Sequence, residues 1–380
     1  MIGPVLVVGV LFAVVIVGRL QTYHGNATGF VLFGHYFASY SQPPRGALIN
    51  SPFGYDGQFF YLQAKDPLLL HDSTIASFRG STEAFRMERM AYPTLAFLFA
   101  AGQLGAIPWS LLAINVLVVL TLTGGFALCA RRLGWSGWWA LAVGLLAGFV
   151  TATLRDLGDP VAVAGMLAGL ILWQRRRRWW AAALLTVAVL AREPMTLAVA
   201  AVALDAVIRW WRAGHEPGAL RRIAGEAWPP VLVPAAAFIA WQAYIDARYG
   251  SNVASTSTNA YLPPFVGLID EVRHALADAS RRNTAWDLAY LGLMTAGIAA
   301  SIALAWRKTT AAGIAAALFG LSLLVVVFGD PWSYTRLSAP MFAGLLLGGL
   351  QQRSRAALLI CAAAAAMTLL MPFAPWLAAA

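Results

Sequence analysis

The segment 51–67 (SPFGYDGQFFYLQAKDP) holds the residues best suited to chemistry. Asp56 follows Tyr55 and stands between two glycines at the start of an aromatic run. We expect partial burial to raise the pKa of Asp56 towards neutrality and the glycines to admit a substrate, which Tyr55 and Gln58 would also contact. These properties suit a general base. The alternative is an Asx-type turn, in which Asp56 only caps a helix that begins near Gln58.

Two arginines, Arg86 and Arg89, follow in the segment FRMERMAYP at 85–93. Because three positions separate them, both guanidiniums can lie on one side of a helical turn. A pair of guanidiniums can hold a phosphate group through bidentate hydrogen bonds. Binding of lipid headgroups in general, or pairing with Glu83 and Glu88, would explain the same residues without catalysis.

Asp156 and Asp159 lie three residues apart in the short segment RDLGDP at 155–160. Asp159 precedes a proline at a predicted helix start, which is typical of a structural capping residue. Asp156 is the better candidate for a site residue. It could contact a substrate or help to hold Mg²⁺ or Mn²⁺ with a bound phosphate. Such a cation is the one cofactor that the sequence leaves open.

Two later connections between apolar segments also carry charge. Arg192 and Glu193 stand where there is no room for a large loop, so we expect them to face one another or a shared cavity. The segment FGDPWSYTR at 328–336 ends with Tyr334 and Arg336, which could hold a phosphate while an apolar tail lies along the helices. The alternative is an aromatic belt at the membrane interface with a snorkelling arginine.

These residues must be positioned by membrane helices. Of the 380 residues, 60 % are hydrophobic and 12 % are charged, whereas ordinary soluble domains are roughly 45–50 % apolar and 25 % charged. Because a helix needs about 20 apolar residues to cross the bilayer, we predict an all-α, polytopic membrane domain over 1–380 with about 11 transmembrane helices. The predicted helices lie near 2–18, 110–130, 137–153, 160–174, 179–191, 195–211, 228–246, 286–306, 309–328, 337–350 and 356–376.

The placement of basic residues predicts the orientation. The net charge of +10 suggests nucleic acid at first sight, but short arginine clusters such as 175–178 fall between apolar helices, as in cytoplasmic loops of membrane proteins. All these clusters lie on the cytoplasmic side of the membrane if the N-terminus is cytoplasmic and the segment 91–107 does not cross. We therefore predict a long first external loop, 19–109, in which 91–107 is re-entrant or interfacial, and an external loop, 247–285, that could act as a lid. The expected location is the bacterial inner membrane, with the site on the extracytoplasmic side.

Several classes of function lack support in the sequence. There is no GxGxxG, Walker or GxSxG motif, and Cys129 and Cys361 lie in apolar runs without metal spacing. A transporter or lipid flippase usually has ionisable groups near the bilayer midplane and matched halves. Charged residues are nearly absent within the predicted helices, and no internal repeat is visible. Both observations favour an enzyme, and a transporter or lipid flippase is the alternative.

The order of these features resembles the GT-C superfamily of membrane glycosyltransferases. The segment YDGQFFYLQA at 55–64 looks like the WD-x-x-x-F-x-x-x-A pattern of the GPI-mannosyltransferase-like branch. The segment AYPTLAFL at 91–98, which includes Tyr92, resembles the AFFPLYP segment of that branch. RDLGDP is similar in placement to the second acidic motif of protein mannosyltransferases and aminoarabinose transferases. Tyr55 stands where Trp is common, and the second loop has no Glu.

The resemblance implies an inverting glycosyltransferase that uses a polyprenyl-phosphate sugar, mannose-like or other, and a glycan or lipid-linked acceptor. Asp56 would be the catalytic base, Arg336 with Arg89 would bind the donor phosphate, and Asp156 would contact the acceptor or a metal. Asp56 and Arg336 should then share one hollow. Membrane lipids are expected partners, and nucleic acid is not. The other expected substrate contacts are Tyr55, Gln58, Arg86, Tyr92, Arg192, Glu193 and Tyr334.

Overall fold

A computed structural model describes residues 2–214, 216–256, 262–277, 284–307, 309–326, 328 and 331–370. These described residues are 79 % helix with almost no strand, as the apolar composition of the chain predicts. The two strands that the described residues form are two and three residues long and pair in parallel, with Phe33 opposite Ile49.

The N-terminal part consists of one long apolar helix followed by short elements. Its regular elements are α1 (Ile2–Thr22), α2 (Thr28–Val31), β1 (Phe33–Gly34), α3 (Ala38–Ser41), β2 (Ile49–Ser51), α4 (Gly57–Lys65), α5 (Asp72–Ser81), a 3-10 turn (Ala84–Glu88) and α6 (Ala91–Phe99). The short elements occupy most of the predicted first loop.

The rest of the chain is a bundle of mostly longer helices. In chain order they are α7 (Ile107–Arg132), α8 (Leu141–Gly144), α9 (Ala147–Thr153), α10 (Asp159–Gln174), α11 (Arg178–Ala191), α12 (Thr196–Arg212), α13 (Pro217–Tyr249), α14 (Val266–Ala277), α15 (Thr284–Arg307), α16 (Ala311–Leu323), α17 (Pro331–Gln352) and α18 (Arg355–Leu369). Short 3-10 turns lie at Leu104–Ala106, Gly137–Ala140, Glu193–Met195 and Ala254–Thr256.

Five helical segments among the described residues are long and apolar enough to cross a membrane. They are Ile2–Thr22, Leu104–Arg132, Glu193–Arg212, Gly218–Tyr249 and Thr284–Arg307. Four other apolar helices, α10, α11, α16 and α18, have between 10 and 17 residues, fewer than the roughly 20 that a perpendicular span needs. The structure thus supports a helical membrane protein, and the count of about 11 spans stays a prediction.

The predicted continuous helix over 137–153 is wrong. This segment contains a 3-10 turn, the four-residue α8 and the seven-residue α9. Its glycines lie against neighbouring elements, since a Cβ on Gly144 would be 2.5 Å from Thr123 Oγ1 and one on Gly148 would be 2.5 Å from Thr335 O. The segment is apolar because it is buried in the protein, which hydropathy does not distinguish from burial in lipid.

The segment 91–107 does not form a membrane-length helix. α6 has nine residues, which extend about 14 Å, less than half of the ~30 Å hydrocarbon core. After α6 the chain turns through positive φ at Ala101 (48°) and Gly102 (74°) and then enters the long helix α7. The re-entrant or interfacial position of 91–107 stays a prediction.

Helix α13 is longer than the predicted 228–246. It has 33 residues and contains Pro229, Pro230 and Pro234. Its C-terminal turns dock on the first loop, because Trp241 Nε1 donates a hydrogen bond to Met87 O at 2.9 Å. The predicted loop 247–285 therefore begins inside α13 and also contains α14, whereas residues 257–261 and 278–283 lie outside the described part.

A small apolar cluster fixes the first loop on the bundle. Phe59 of α4, Phe78 of α5 and Phe85 pack together with Trp241 and Ile245 of α13, and all five are buried. The larger core lies between the long helices, where α10 packs on α11, α11 on α13 and α16 on α17. The loop and the bundle therefore meet along one surface, and the candidate site lies at this junction.

Candidate active site

A cavity of about 890 Å³ lies where the first loop meets α10, α12, α13, α16 and α17. Polar and charged side chains form one part of its wall, and apolar side chains of the helices form the rest. The polar part consists of Tyr55, Asp56, Arg86, Glu88, Arg89, Asp159, Arg192, Glu193, Thr196, Gln242, Asp246, Asn252, Ser322, Ser333 and Arg336. The cavity thus joins a charged end to an apolar wall.

Asp56 lies at the centre of the charged end. Helix α4 begins at the next residue, but the Asp56 side chain makes no capping hydrogen bond, so the capping alternative is wrong. Its carboxylate contacts Arg86 and lies 3.3 Å from Arg89 Nη1 and 3.9 Å from Arg336 Nη1. The expected juxtaposition of Asp56 and Arg336 in one hollow is confirmed.

The charge environment of Asp56 differs from our expectation. Burial alone would raise the pKa of its carboxyl, but Arg86, Arg336 and Arg89 outweigh burial and hold that pKa well below its ordinary value. The expected rise in the pKa of Asp56 is therefore wrong for this charge environment. An anion bound to these guanidiniums would offset their effect and raise the pKa of Asp56 again. The role of Asp56 as a base stays a prediction.

The two glycines beside Asp56 serve the packing of the loop. Gly54 has a φ of +70°, and a Cβ there would lie 2.4 Å from Leu32 O. A Cβ on Gly57 would lie 2.5 Å from Arg155 O and 2.6 Å from Val31 O. The expected role of the glycines in admitting a substrate is wrong, because the space that they leave is filled by neighbouring backbone.

Arg86 of the 3-10 turn and Arg89, which directly follows it, both contact Asp56, and each also has a partner of its own. Arg86 Nε lies 2.7 Å from Glu83 Oε2, and its guanidinium stands over the ring of Phe85. Arg89 donates two hydrogen bonds to Glu193, at 3.0 Å and 2.8 Å. The predicted pairing with Glu83 is confirmed, whereas the ion pairs of the described residues include none between either arginine and Glu88.

Arg336 brings positive charge and N–H donors without acceptors among the described residues into the cavity. Its side chain is buried, and its Nε and Nη1 have no hydrogen-bond acceptor among the described residues. Its Nη1 lies 4.0 Å from Asp159 Oδ2, and its guanidinium lies 5.5 Å from the centre of the Tyr55 ring. Buried N–H groups without acceptors are costly. The Nε and Nη1 groups of Arg336 are therefore available to acceptor atoms that the described residues do not supply.

Arg192 and Glu193 both line the cavity, as expected of a short connection between helices. They do not pair with each other. Arg192 donates a hydrogen bond to Asp159, and Glu193 accepts the two bonds from Arg89. These ion pairs fix the first loop, α10 and the start of α12 around the charged end.

The predicted contact residues do not include the acidic and amide groups Glu88, Gln242 and Asp246, which also line the cavity. Glu88 is buried, and Gln242 hydrogen-bonds to it. Burial, together with the negative charge of Glu193, raises the pKa of Glu88 to about 7. Asp246 accepts a hydrogen bond from Val253 N at 2.8 Å. One sequence signal could have identified this part of the wall, because Asp246 is an acidic residue near the end of an apolar helix.

Four predicted contact residues do not line the cavity, and three of them, Gln58, Tyr92 and Tyr334, hydrogen-bond within the protein. Gln58 accepts a bond from Gly34 N at 3.2 Å and donates one to Phe53 O at 3.0 Å. Tyr92 donates to Leu111 O at 2.9 Å and is buried. Tyr334 is buried and hydrogen-bonds to Asp287. The polar groups of these three side chains hydrogen-bond to other parts of the protein, so their predicted contact with a substrate is not supported.

Asp156 is buried away from the cavity. It has a φ of 48°, and its two carboxylate oxygens have no hydrogen-bond partner among the described residues. Burial raises the pKa of this carboxyl well above its ordinary value. No group of three His, Cys, Asp or Glu side chains in the described part of the chain is placed to hold a metal ion. The expected contact of Asp156 with an acceptor or a metal therefore has no support.

Comparisons of the chain with protein-family models, with curated proteins and with solved structures found no match. The function must therefore be inferred from the chemistry of the cavity.

Proposed function

We propose that the protein is an inverting membrane glycosyltransferase whose cavity takes a polyprenyl-phosphate sugar. The observation that carries this proposal is the buried guanidinium of Arg336 at the charged end of a cavity with an apolar wall. Two of its nitrogens lack an acceptor among the described residues. A lipid phosphate has the matching chemistry, because it joins an anionic group to a long apolar chain.

The charged end suits the phosphate of the donor. Arg336 and Arg86 both reach the carboxylate of Asp56, so a phosphate beside it would find several N–H donors. Guanidiniums bind phosphate oxygens through paired hydrogen bonds. Fixed positive charge also stabilises the negative charge that develops on a leaving phosphate. The same groups would thus bind the donor and promote its cleavage.

The apolar wall suits the lipid tail. Val163 of α10, Leu197 of α12, Phe238 of α13, Phe319 of α16 and Leu337 of α17 all line the cavity. These helices surround the charged end, so a tail that leaves the phosphate would run between them. Burial of apolar surface would contribute about 25 cal/mol per Å² to donor binding.

Asp56 is placed to act as the base in the transfer. It would accept the proton of an acceptor hydroxyl while that oxygen bonds to the anomeric carbon. The bond between this carbon and the phosphate oxygen breaks, and its electron pair leaves with the lipid phosphate. Because the donor anion engages Arg86 and Arg336, the proton affinity of Asp56 rises when the donor binds. Transfer would therefore require the donor to bind before proton abstraction.

We place this cavity on the extracytoplasmic side of a bacterial inner membrane, with a glycan or lipid-linked acceptor entering from that side. The arginine cluster at 175–178 supports this orientation, because it lies at the end of α10 opposite Asp159 and cytoplasmic loops are rich in arginine. In this arrangement the shorter apolar helices α10, α11, α16 and α18 also cross the membrane, with the bilayer thinned around them.

Reconstitution in lipid vesicles tests the proposal. Purified protein would be supplied with a panel of polyprenyl-phosphate sugars, and transfer of labelled sugar and movement of the labelled donor between leaflets would be measured separately. We expect transfer from one donor class, with inversion at the anomeric carbon. Donor movement without transfer would contradict the proposal and favour a flippase, and the absence of both with every donor would contradict the choice of substrate.

A further inference from the structure

A second groove lies between α7 and α10 and shares no residue with the candidate active site. It has a volume of about 460 Å³, and its walls are mostly apolar. Leu117 and Leu128 of α7 line it and are 48 % and 36 % exposed. Because α7 is one of the helices apolar enough to cross a membrane, the groove faces the acyl chains of the bilayer.

Gly125 keeps the middle of this groove open. A Cβ at this position would meet no heavy atom within 4 Å, so neither tight packing nor a positive φ requires glycine there. The part of α7 that lines the groove runs from Leu117 to Arg132 and is about 22 Å long. One leaflet of the hydrocarbon core is about 15 Å thick. An acyl chain therefore fits along the groove.

Two arginines close one end of the groove. Arg132 is the last residue of α7, and Arg175 follows the last residue of α10. Both side chains are exposed and line the groove. The ion pairs found among the described residues do not include either of them. The end of an apolar groove thus presents two guanidiniums, which attract an anionic group.

We propose that this groove binds an anionic phospholipid, with its phosphate between Arg132 and Arg175 and an acyl chain along α7 and α10. Free phosphate is not the preferred occupant, because most of the groove surface is apolar and would contact a hydrocarbon chain. The two positive charges distinguish an anionic headgroup from a zwitterionic one, since each basic residue near a membrane surface contributes to the attraction of anionic lipids.

Native mass spectrometry of the full chain with added phosphatidylglycerol or phosphatidylcholine tests this proposal. We expect about tenfold stronger retention of phosphatidylglycerol by the unchanged protein. The double variant R132Q/R175Q should lose this preference. The matched control R177Q should keep it, because Arg177 lies exposed in the same connection but outside the groove.

A second variant keeps the test independent of charge. Gly125→Leu would fill the groove from its open middle and should lower the retention of phosphatidylglycerol at least as much as the double variant does. Equal retention of the two lipids by the unchanged protein, or a full preference in R132Q/R175Q, would overturn the proposal. Displacement of the lipid by inorganic phosphate alone would also overturn it, since the apolar groove would then contribute nothing.

Discussion

The guanidinium of Arg336 in α17 lies 3.9 Å from the carboxylate of Asp56, which directly precedes α4. This distance is too long for a hydrogen bond but short enough for a strong electrostatic interaction. Arg336 therefore contributes charge to the cavity, while the N–H groups of its Nε and Nη1 have no acceptor among the described residues. A ligand anion next to Asp56 would find these donors already oriented.

Replacement of Arg336 should weaken the use of the donor more than it affects the fold. We expect Arg336→Gln to lower kcat/KM for the donor about 100-fold, because one oriented donor to the leaving phosphate is lost. Arg336→Lys should recover part of this loss, since it keeps the charge but not the planar fork. Steady-state kinetics with the reconstituted protein measures both effects. Arg273→Gln is the control, because Arg273 is 75 % exposed and pairs with Asp270, and wild-type kinetics in Arg336→Gln would exclude the phosphate role.

Glu88 should make donor binding depend on pH. Its pKa is about 7, so its side chain is neutral below that pH and adds a negative charge to the cavity above it. A phosphodiester donor keeps its own negative charge over this range, so its KM should rise about three- to tenfold between pH 6 and pH 8.

Glu88→Gln should remove this pH dependence and give the low KM at both pH values. Asp72→Asn is the matched control, because the Asp72 side chain is 95 % exposed and pairs with Arg248 outside the cavity. It should retain the wild-type profile. A KM that falls as the pH rises would contradict the placement of Glu88 beside the donor.

Gly57 should be required for stability. A Cβ at this position would approach Arg155 O and Val31 O to within 2.6 Å, and both contacts are with backbone. We expect Gly57→Ala to destabilise the protein by about 1–3 kcal/mol, measured as a lower Tm in detergent. Gly105→Ala should leave Tm nearly unchanged, since no atom lies within 4 Å of the new Cβ. Equal Tm values for the two variants would show that the loop does not pack as described.

The predicted orientation can be tested by thiol labelling of intact cells. Cys129 and Cys361 are free and buried, so a new cysteine would be the accessible thiol of the described chain. We expect Arg177→Cys to react with a membrane-impermeant reagent only after lysis, because the cluster at 175–178 is predicted to be cytoplasmic. Asp72→Cys in the first loop should react in intact cells. Labelling of Arg177→Cys from outside would reverse the topology.

Part of the site was predictable because ionisable residues at the ends of apolar helices have few structural reasons to be there. This argument identified Asp56, Arg89, Arg192 and Arg336, which the structure brings into one cavity. Glu88 was visible in the same segment as Arg89, but sequence reasoning could only assign it as a partner of the arginines. Its place in the cavity wall depends on the docking of α13, whose Gln242 hydrogen-bonds to it.

The rest was not predictable because residue type does not show which way a side chain points. Tyr92 and Tyr334 have suitable hydroxyl groups, but their partners Leu111 and Asp287 come from distant parts of the chain. Hydropathy likewise predicted the existence of most helices, but not the break within 137–153. That break depends on close contacts of glycines with other elements, which no local pattern reveals.

The most direct test of the account measures sugar transfer and donor binding for Asp56→Asn in the same reconstituted preparation. We predict that transfer falls about 10²- to 10⁴-fold, whereas the donor binds as tightly as before or more tightly, because the carboxylate no longer competes with the phosphate for Arg86 and Arg336. Asp72→Asn should transfer at the wild-type rate. Wild-type transfer by Asp56→Asn would contradict the account, because the cavity would then lack the base on which the proposed reaction depends.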